Sequence, residues 1–136
     1  MRRFLCLFIL LTTPALAQAA ESKPATLKFE KAIDGATFEA SAETISLWGV
    51  KAVDPSSRYS LASRLYLETM LKSGSLSCSE AGRAGDVRVM RCDIDKSDVG
   101  SLVVQMGMGT ARDPYYEGEQ DYARRLRRGV WNSNHD

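Results

Sequence analysis

Along 26–33 (TLKFEKAI), Leu27, Phe29 and Lys31 alternate with Lys28 and Glu30. This period of two predicts a β-strand, turned by Asp34-Gly35. Strands are predicted next over 37–40 and 44–50, with Ser41-Ala42-Glu43 as the hairpin between them, giving a three-strand meander. The period changes at Pro55-Ser56-Ser57, which opens a helix running to about Lys72. Ala62, Leu65, Tyr66 and Met70 mark its apolar stripe and Gly74 its stop. A second strand pair is predicted over 76–79 and 87–94. Ser97 or Asp98 then caps a helix whose Val99, Leu102, Val103 and Met106 keep the i, i+3, i+4, i+7 spacing as far as Gly107. The last helix is predicted with Asp113 as N-cap, Pro114 at the first helical position and Glu117 in the first turn. Arg124, Arg125, Arg127 and Arg128 suit its negative C-terminal end, and Gly129 stops it. Trp48 and Trp131 are expected in the core.

The order is thus strand-strand-strand-helix-strand-strand-helix-helix, with no repeat and no low-complexity tract. Five short antiparallel strands can bury all their edges only by closing. The expected fold is therefore α+β, a five-stranded Greek-key barrel of the OB type plus three helices.

The first residues change the picture. Arg2 and Arg3 precede an apolar run over 4–11, then Thr12-Thr13-Pro14 and Ala15-Leu16-Ala17. The run is too short for a span of about 20 residues, so it reads as a secretory signal and not as an anchor. Cleavage is placed after Ala17, with Ala19 as the alternative. The expected organisation is a signal peptide over 1–17, a polar leader over 18–25, one domain over 26–132 and a tail over 133–136. Export removes Cys6 and leaves Cys78 and Cys92, an even pair that reads as a disulfide. It also removes two arginines from a chain of formal charge +1, leaving it about neutral. Nothing here attracts a nucleic acid by charge alone. The one histidine, His135, stands beside the C-terminus, a poor place for the well-held imidazole of a catalytic triad or zinc site. Gly107-Met108-Gly109 lacks the third glycine of a dinucleotide loop, since Arg112 stands there.

Several strings together resemble the staphylococcal nuclease (thermonuclease-like) family. They are Ile33-Asp34-Gly35-Ala36-Thr37, the run over 45–54 (ISLWGVKAVD), Arg91-Cys92-Asp93-Ile94-Asp95, Asp98-Val99-Gly100 with the following stretch to Met108, and Arg127-Arg128-Gly129-Val130-Trp131. The cysteine pair also resembles that of many exported bacterial members. The resemblance implies an SNase-like barrel and, in active members, calcium-dependent phosphodiester hydrolysis. There carboxylates hold the metal, a Glu or Asp activates water, and two arginines stabilise charge on the phosphorus oxygens. Carried over position by position, that machinery is degenerate. Asp34 is kept, but Ala36 stands at the second acidic position. Ser46 replaces the strand arginine, Lys51 replaces a metal carboxylate, and Asp54 takes the place of the Glu. Asp86 or Val87 stands where the second arginine belongs, and Arg83 and Arg88 do not match it. Removing one such group typically costs ~10²-fold or more in rate.

The expectation is therefore an exported non-catalytic binding or accessory protein, a monomer that requires no cofactor. The alternative is a weak metal-dependent phosphodiesterase using Asp34 and Asp54, for which calcium would be required. Barrels of this type also bind oligosaccharides. The chain further resembles small exported thermonuclease-like proteins associated with rhizobial exopolysaccharide (succinoglycan) biosynthesis, which implies a glycan or an envelope protein as partner and a periplasmic or secreted location. Two readings stand for Lys51: an ammonium occupying the calcium position between Asp34 and Asp54, or a solvated lysine. Tyr115 and Tyr116 either form a platform for a base or sugar ring or pack the last helix. The four arginines over 124–128 either contact a polyanion or form a solvated helix end.

Overall fold

The computed structural model describes residues 22–112 and 114–132. The expected signal peptide over 1–17, Asp113, His135 and the expected tail lie outside them. The predicted first strand is two strands, β1 (Ala25–Leu27) and β2 (Phe29–Ala32). They part at Lys28, whose N–H donates to Ser41 Oγ at 3.0 Å while its carbonyl accepts from the Ser41 N–H at 2.9 Å. A register shift between Phe29 and Lys31 breaks the alternation. Ala32 turns inward as a result, and Lys31 stays outside, 3.4 Å from Glu39.

β2, β3 (Thr37–Ala40) and β4 (Glu43–Leu47) form the expected antiparallel meander. Its second turn is tighter than predicted: Ser41 and Ala42, at φ 50° and 63°, make it, and Glu43 already belongs to β4. The strand expected to reach Val50 stops at Leu47, because Trp48 and Gly49 (φ 75°) turn the chain. Val50 starts β5 (Val50–Ala52), which pairs with β9 (Gly109–Ala111), a strand the pattern does not reveal, in a separate two-stranded sheet.

β6 (Leu76–Ala84) runs well past its predicted end at Ser79, while β7 (Val87–Ile94) keeps its predicted limits; the short β8 (Ser97–Asp98) pairs with β7. Cys78 stands opposite Cys92 in this ladder and the two form the expected disulfide. β4 and β7 run parallel, with Ser46 beside Val89, so the sheet is mixed and not antiparallel throughout. The chain between them, with a helix and the long β6, is long enough for β7 to enter beside β4 in the same direction.

The strand order is β1-β6-β7-β4-β3-β2. The edge strands β1 and β2 are separated by Lys28 alone, and two peptide units span at most about 7 Å. The sheet must therefore curl until its edges approach, which gives a barrel-like α+β fold with three helices. Phe38, Ile45, Leu67, Met90, Val99 and Val103 fill its interior. Each such side chain contributes about 2 kcal/mol of transfer free energy.

α1 (Ser60–Leu71) starts later than Pro55, since residues 55–59 are consumed in turns. Its buried side is Ser63, Leu67 and Leu71, with Tyr66 and Met70 partly buried against the core; Ala62 and Leu65, expected on that side, are exposed. A serine can be buried here because its Oγ donates to Ser60 O at 3.2 Å. Its small size lets the Asp34-Gly35 turn rest on the helix, so close that a Cβ on Gly35 would lie 2.5 Å from that Oγ.

α2 (Val99–Gln105) is capped by Asp98, whose carboxylate accepts from the Ser101 N–H at 3.1 Å. Val99 and Val103 are buried as expected, whereas Leu102 and Met106 are half-buried. α3 (Glu117–Arg125) does not start at Pro114. Tyr116 precedes it at φ 59°, and the helix ends at Arg125, ahead of Gly129, which instead opens a single 3₁₀ turn (Gly129–Trp131). This terminal arm crosses the end of α2, where Val130 N–H donates to Gly107 O at 3.0 Å. Both glycines have positive φ, 66° and 52°, and a Cβ on either would meet the backbone of the other turn. Trp48 and Trp131 are half-buried, not core residues. Among the described residues no helix is long and apolar enough to cross a membrane.

Candidate functional site

The residues singled out by the sequence separate into two places. Asp34, Lys51 and Asp54 line one depression of about 570 Å³, together with Thr110, Val130 and Trp131. It lies where the turn after β2, the β5–β9 ladder and the terminal 3₁₀ turn converge. Both carboxylates are engaged by their own turns. Asp34 Oδ1 accepts from the Ala36 N–H at 2.8 Å, and Asp54 Oδ1 accepts from the Ser56 N–H at 2.8 Å and from Ser56 Oγ at 2.7 Å.

The Ser56 hydrogen bonds hold the Asp54 carboxyl below its usual range, and the Lys51 charge adds a smaller push in the same direction. Lys51 is exposed and forms no ion pair with either acid, so the locked arrangement does not occur. Ala36 is packed in the core, 2 % exposed. Calcium takes about six to eight oxygen ligands. Two carboxylates, each with one oxygen already engaged and with an ammonium lining the same depression, fall short of that number, and among the described residues no group of three or more His, Cys, Asp or Glu could hold a metal. One polar group here has no partner: Trp131 Nε1 is buried without a hydrogen bond, while the ring carries the Arg124 guanidinium 4.4 Å from its centroid.

The second place is the outer face of the sheet. Thr37 and Ser46, cross-strand neighbours, lie in a cleft of about 440 Å³ with Trp48, Val89, Arg112 and Tyr115. The β6–β7 hairpin forms one wall. Asp86 sits at its exposed tip beside Gly85 (φ 61°), and its neighbours Ala84 and Val87 line the cleft. Arg88 does not reach this face. It lies beside Ile45 on the inner side of the sheet, where it pairs with Glu43 and, at 3.4 Å, with Glu80. Glu80 also holds Arg83 at 3.4 Å. The Glu43 hydrogen bond is the main reason the Arg88 guanidinium holds its proton more tightly than usual.

Tyr115 and Tyr116 do not form a joint platform. Tyr115 is 45 % exposed and meets the Trp48 ring edge-on. Tyr116 is wedged against Gly49 and Gly100, where a Cβ would lie 2.9 and 2.7 Å from its atoms. Its hydroxyl donates to the Asp98 carboxylate, 3.0 and 2.9 Å from the two oxygens. Burial pushes its phenol well above the usual range and the Asp98 charge adds to this.

One participant was not anticipated. Arg91 lays its guanidinium over Trp48, 4.0 Å from the centroid, and 5.7 Å from that of Tyr115. The available signal was alternation: Cys92 and Met90 face inward, so Arg91 must face out. Arg91 also borders a second depression, of about 500 Å³, with Ser22, Ser79 and Glu80, on the other side of Trp48. No protein-family model matches the chain, and a search of curated proteins finds no match.

Proposed function

We propose that this chain is an exported, non-catalytic binding protein on an OB-type barrel of the staphylococcal nuclease kind. It acts in the periplasm or outside the bacterial cell as an accessory of exopolysaccharide (succinoglycan) biosynthesis. The barrel reading is supported by the curled sheet with consecutive edge strands and by the helix capped at Asp98. Export is supported by the signal-like N-terminus and the Cys78–Cys92 bridge, a bond that persists in oxidising compartments.

The observation that carries the non-catalytic reading is the condition of Asp34 and Asp54. Both carboxylates are engaged by their own turns, an ammonium lines the same depression, and the positions that would carry arginines hold Ser46 and Asp86 or Val87. Nothing there gathers charge around a phosphodiester. The outer cleft beside Trp48 and Tyr115 is open to a ligand.

The test is hydrolysis of single-stranded DNA by the oxidised chain from residue 18 at high protein concentration, with calcium, magnesium or manganese, alongside Asp54→Ala. The expected outcome is no cleavage above the variant. Metal-dependent cleavage that disappears in Asp54→Ala would return the protein to the nucleases.

A further inference from the structure

We infer that Trp48, Tyr115 and Arg91 form a receptor for a carboxylate-bearing sugar, a uronic-acid unit within an oligosaccharide. The oligosaccharide straddles Trp48: the uronic-acid unit lies in the depression lined by Ser22 and Ser79, with its carboxylate at Arg91, and a neighbouring ring lies in the cleft over Ser46 and Thr37. The inference rests on the reading of the chain as a binding protein and adds the ligand class.

Arg91 is the informative residue. Its guanidinium carbon lies over the Trp48 ring, 4.0 Å from the centroid, yet among the described residues no carboxylate lies within ion-pair distance of it. The acid that borders the same depression, Glu80, is engaged by Arg83 and Arg88. The contact with the Trp48 ring restrains the side chain, so less rotamer freedom is lost when an outside anion binds the N–H groups of its fork. A carboxylate matches that fork in two parallel hydrogen bonds. Ser22 and Ser79 line the same depression.

On the other side of Trp48 the cleft is of mixed character. Leu47, Val87 and Val89 supply apolar surface and Thr37 and Ser46 supply hydroxyls. A pyranose presents the same mixture, C–H groups on its faces and hydroxyls around its rim, and an aromatic wall suits such a face.

A nucleic acid suits this surface less well. Base recognition on single strands uses free aromatic faces in succession and a basic groove that follows the phosphates. Here the Trp48 ring carries Arg91 and meets Tyr115 in an edge-type contact. On this face the adjoining hairpin carries Glu80 and the exposed Asp86 against Arg83, with Arg88 turned to the inner side, so it adds no net positive charge to Arg91 and Arg112.

The experiment titrates the oxidised protein with trigalacturonate, with its methyl ester and with an oligothymidylate, at about 0.15 M salt, by tryptophan fluorescence and calorimetry. Saturable binding of trigalacturonate is expected, with the ester and Arg91→Gln each weakening it at least tenfold and Arg91→Lys weakening it in the same direction. The control Arg124→Gln should bind as the parent does, and melting temperatures should show the Arg91 variants folded. The inference is overturned by no saturable binding of trigalacturonate, by equal binding of the ester, by an unaffected Arg91→Gln, or by preference for oligothymidylate. None of these outcomes bears on catalysis, which the DNA hydrolysis assay decides separately.

Discussion

Tyr115 and Tyr116 are neighbours in sequence with opposite roles, and the difference lies in what each meets. Tyr116 is placed by two distant glycines and by Asp98, so its hydroxyl belongs to the fold, while Tyr115 is left on the surface beside Trp48. No local pattern around 115–116 carries that information, because Gly49 and Gly100 come from other parts of the chain. The consequence for pH follows from the raised phenol of Tyr116. Its neutral form is favoured by folding, so its contribution is fully present below the ordinary tyrosine value of about 10 and is lost as the pH rises beyond it. Melting temperatures measured between pH 8 and 11.5 should fall more steeply for the parent than for Tyr116→Phe. The variant should start lower at pH 8, by about 1 kcal/mol for the lost hydrogen bond. A residual slope is expected from Tyr66, which burial also raises. Parallel curves for the two proteins would show that Tyr116 does not carry the effect.

At the scale of elements, β7 and its cysteine register with β6 were the most legible part of the sequence. The alternation over 90–94 is clean, and the cysteines fall opposite each other as the register requires. Their bridge closes a loop of sequence separation 14, for which the chain-entropy account gives about 3 kcal/mol. Reduction should therefore lower the melting temperature by on the order of 10 °C. A scan with and without a strong reductant checks this, and an unchanged midpoint would mean that the bridge adds little to the native state. Elsewhere the pattern misled for identifiable reasons. β5 and β9 have three residues each, and the pairing of Val50 with Ala111 leaves no local trace. In α1 the true inner stripe contains Ser63, a polar residue at a core position, so the competing stripe through Ala62 and Leu65 looked better. Of the site, the grouping of Asp34, Lys51 and Asp54 was anticipated. The separation of Ser46 from them, and the stacking of Arg91 on Trp48, depend on how the sheet curls.

The whole molecule is tied together at two crossings. One is the backbone contact of Gly107 with Gly129, which fixes the terminal arm across α2. Gly129→Ala combines a left-handed backbone with a collision against Gly107, and should cost about 3 kcal/mol or more. Urea unfolding checks this, and a loss below about 1 kcal/mol would show that the arm is not anchored there. The other crossing is the approach of β1 to β2 through Lys28, which sets a timetable for the growing chain. β1 is among the first parts of the domain to be made, but its partner strand follows only about fifty residues later, since Ala25 pairs with Cys78. A chain that emerges from its N-terminus therefore holds that strand without its ladder until about fifty further residues have followed. The meander can assemble in that interval, but the seam of the barrel is sewn only when β6 arrives.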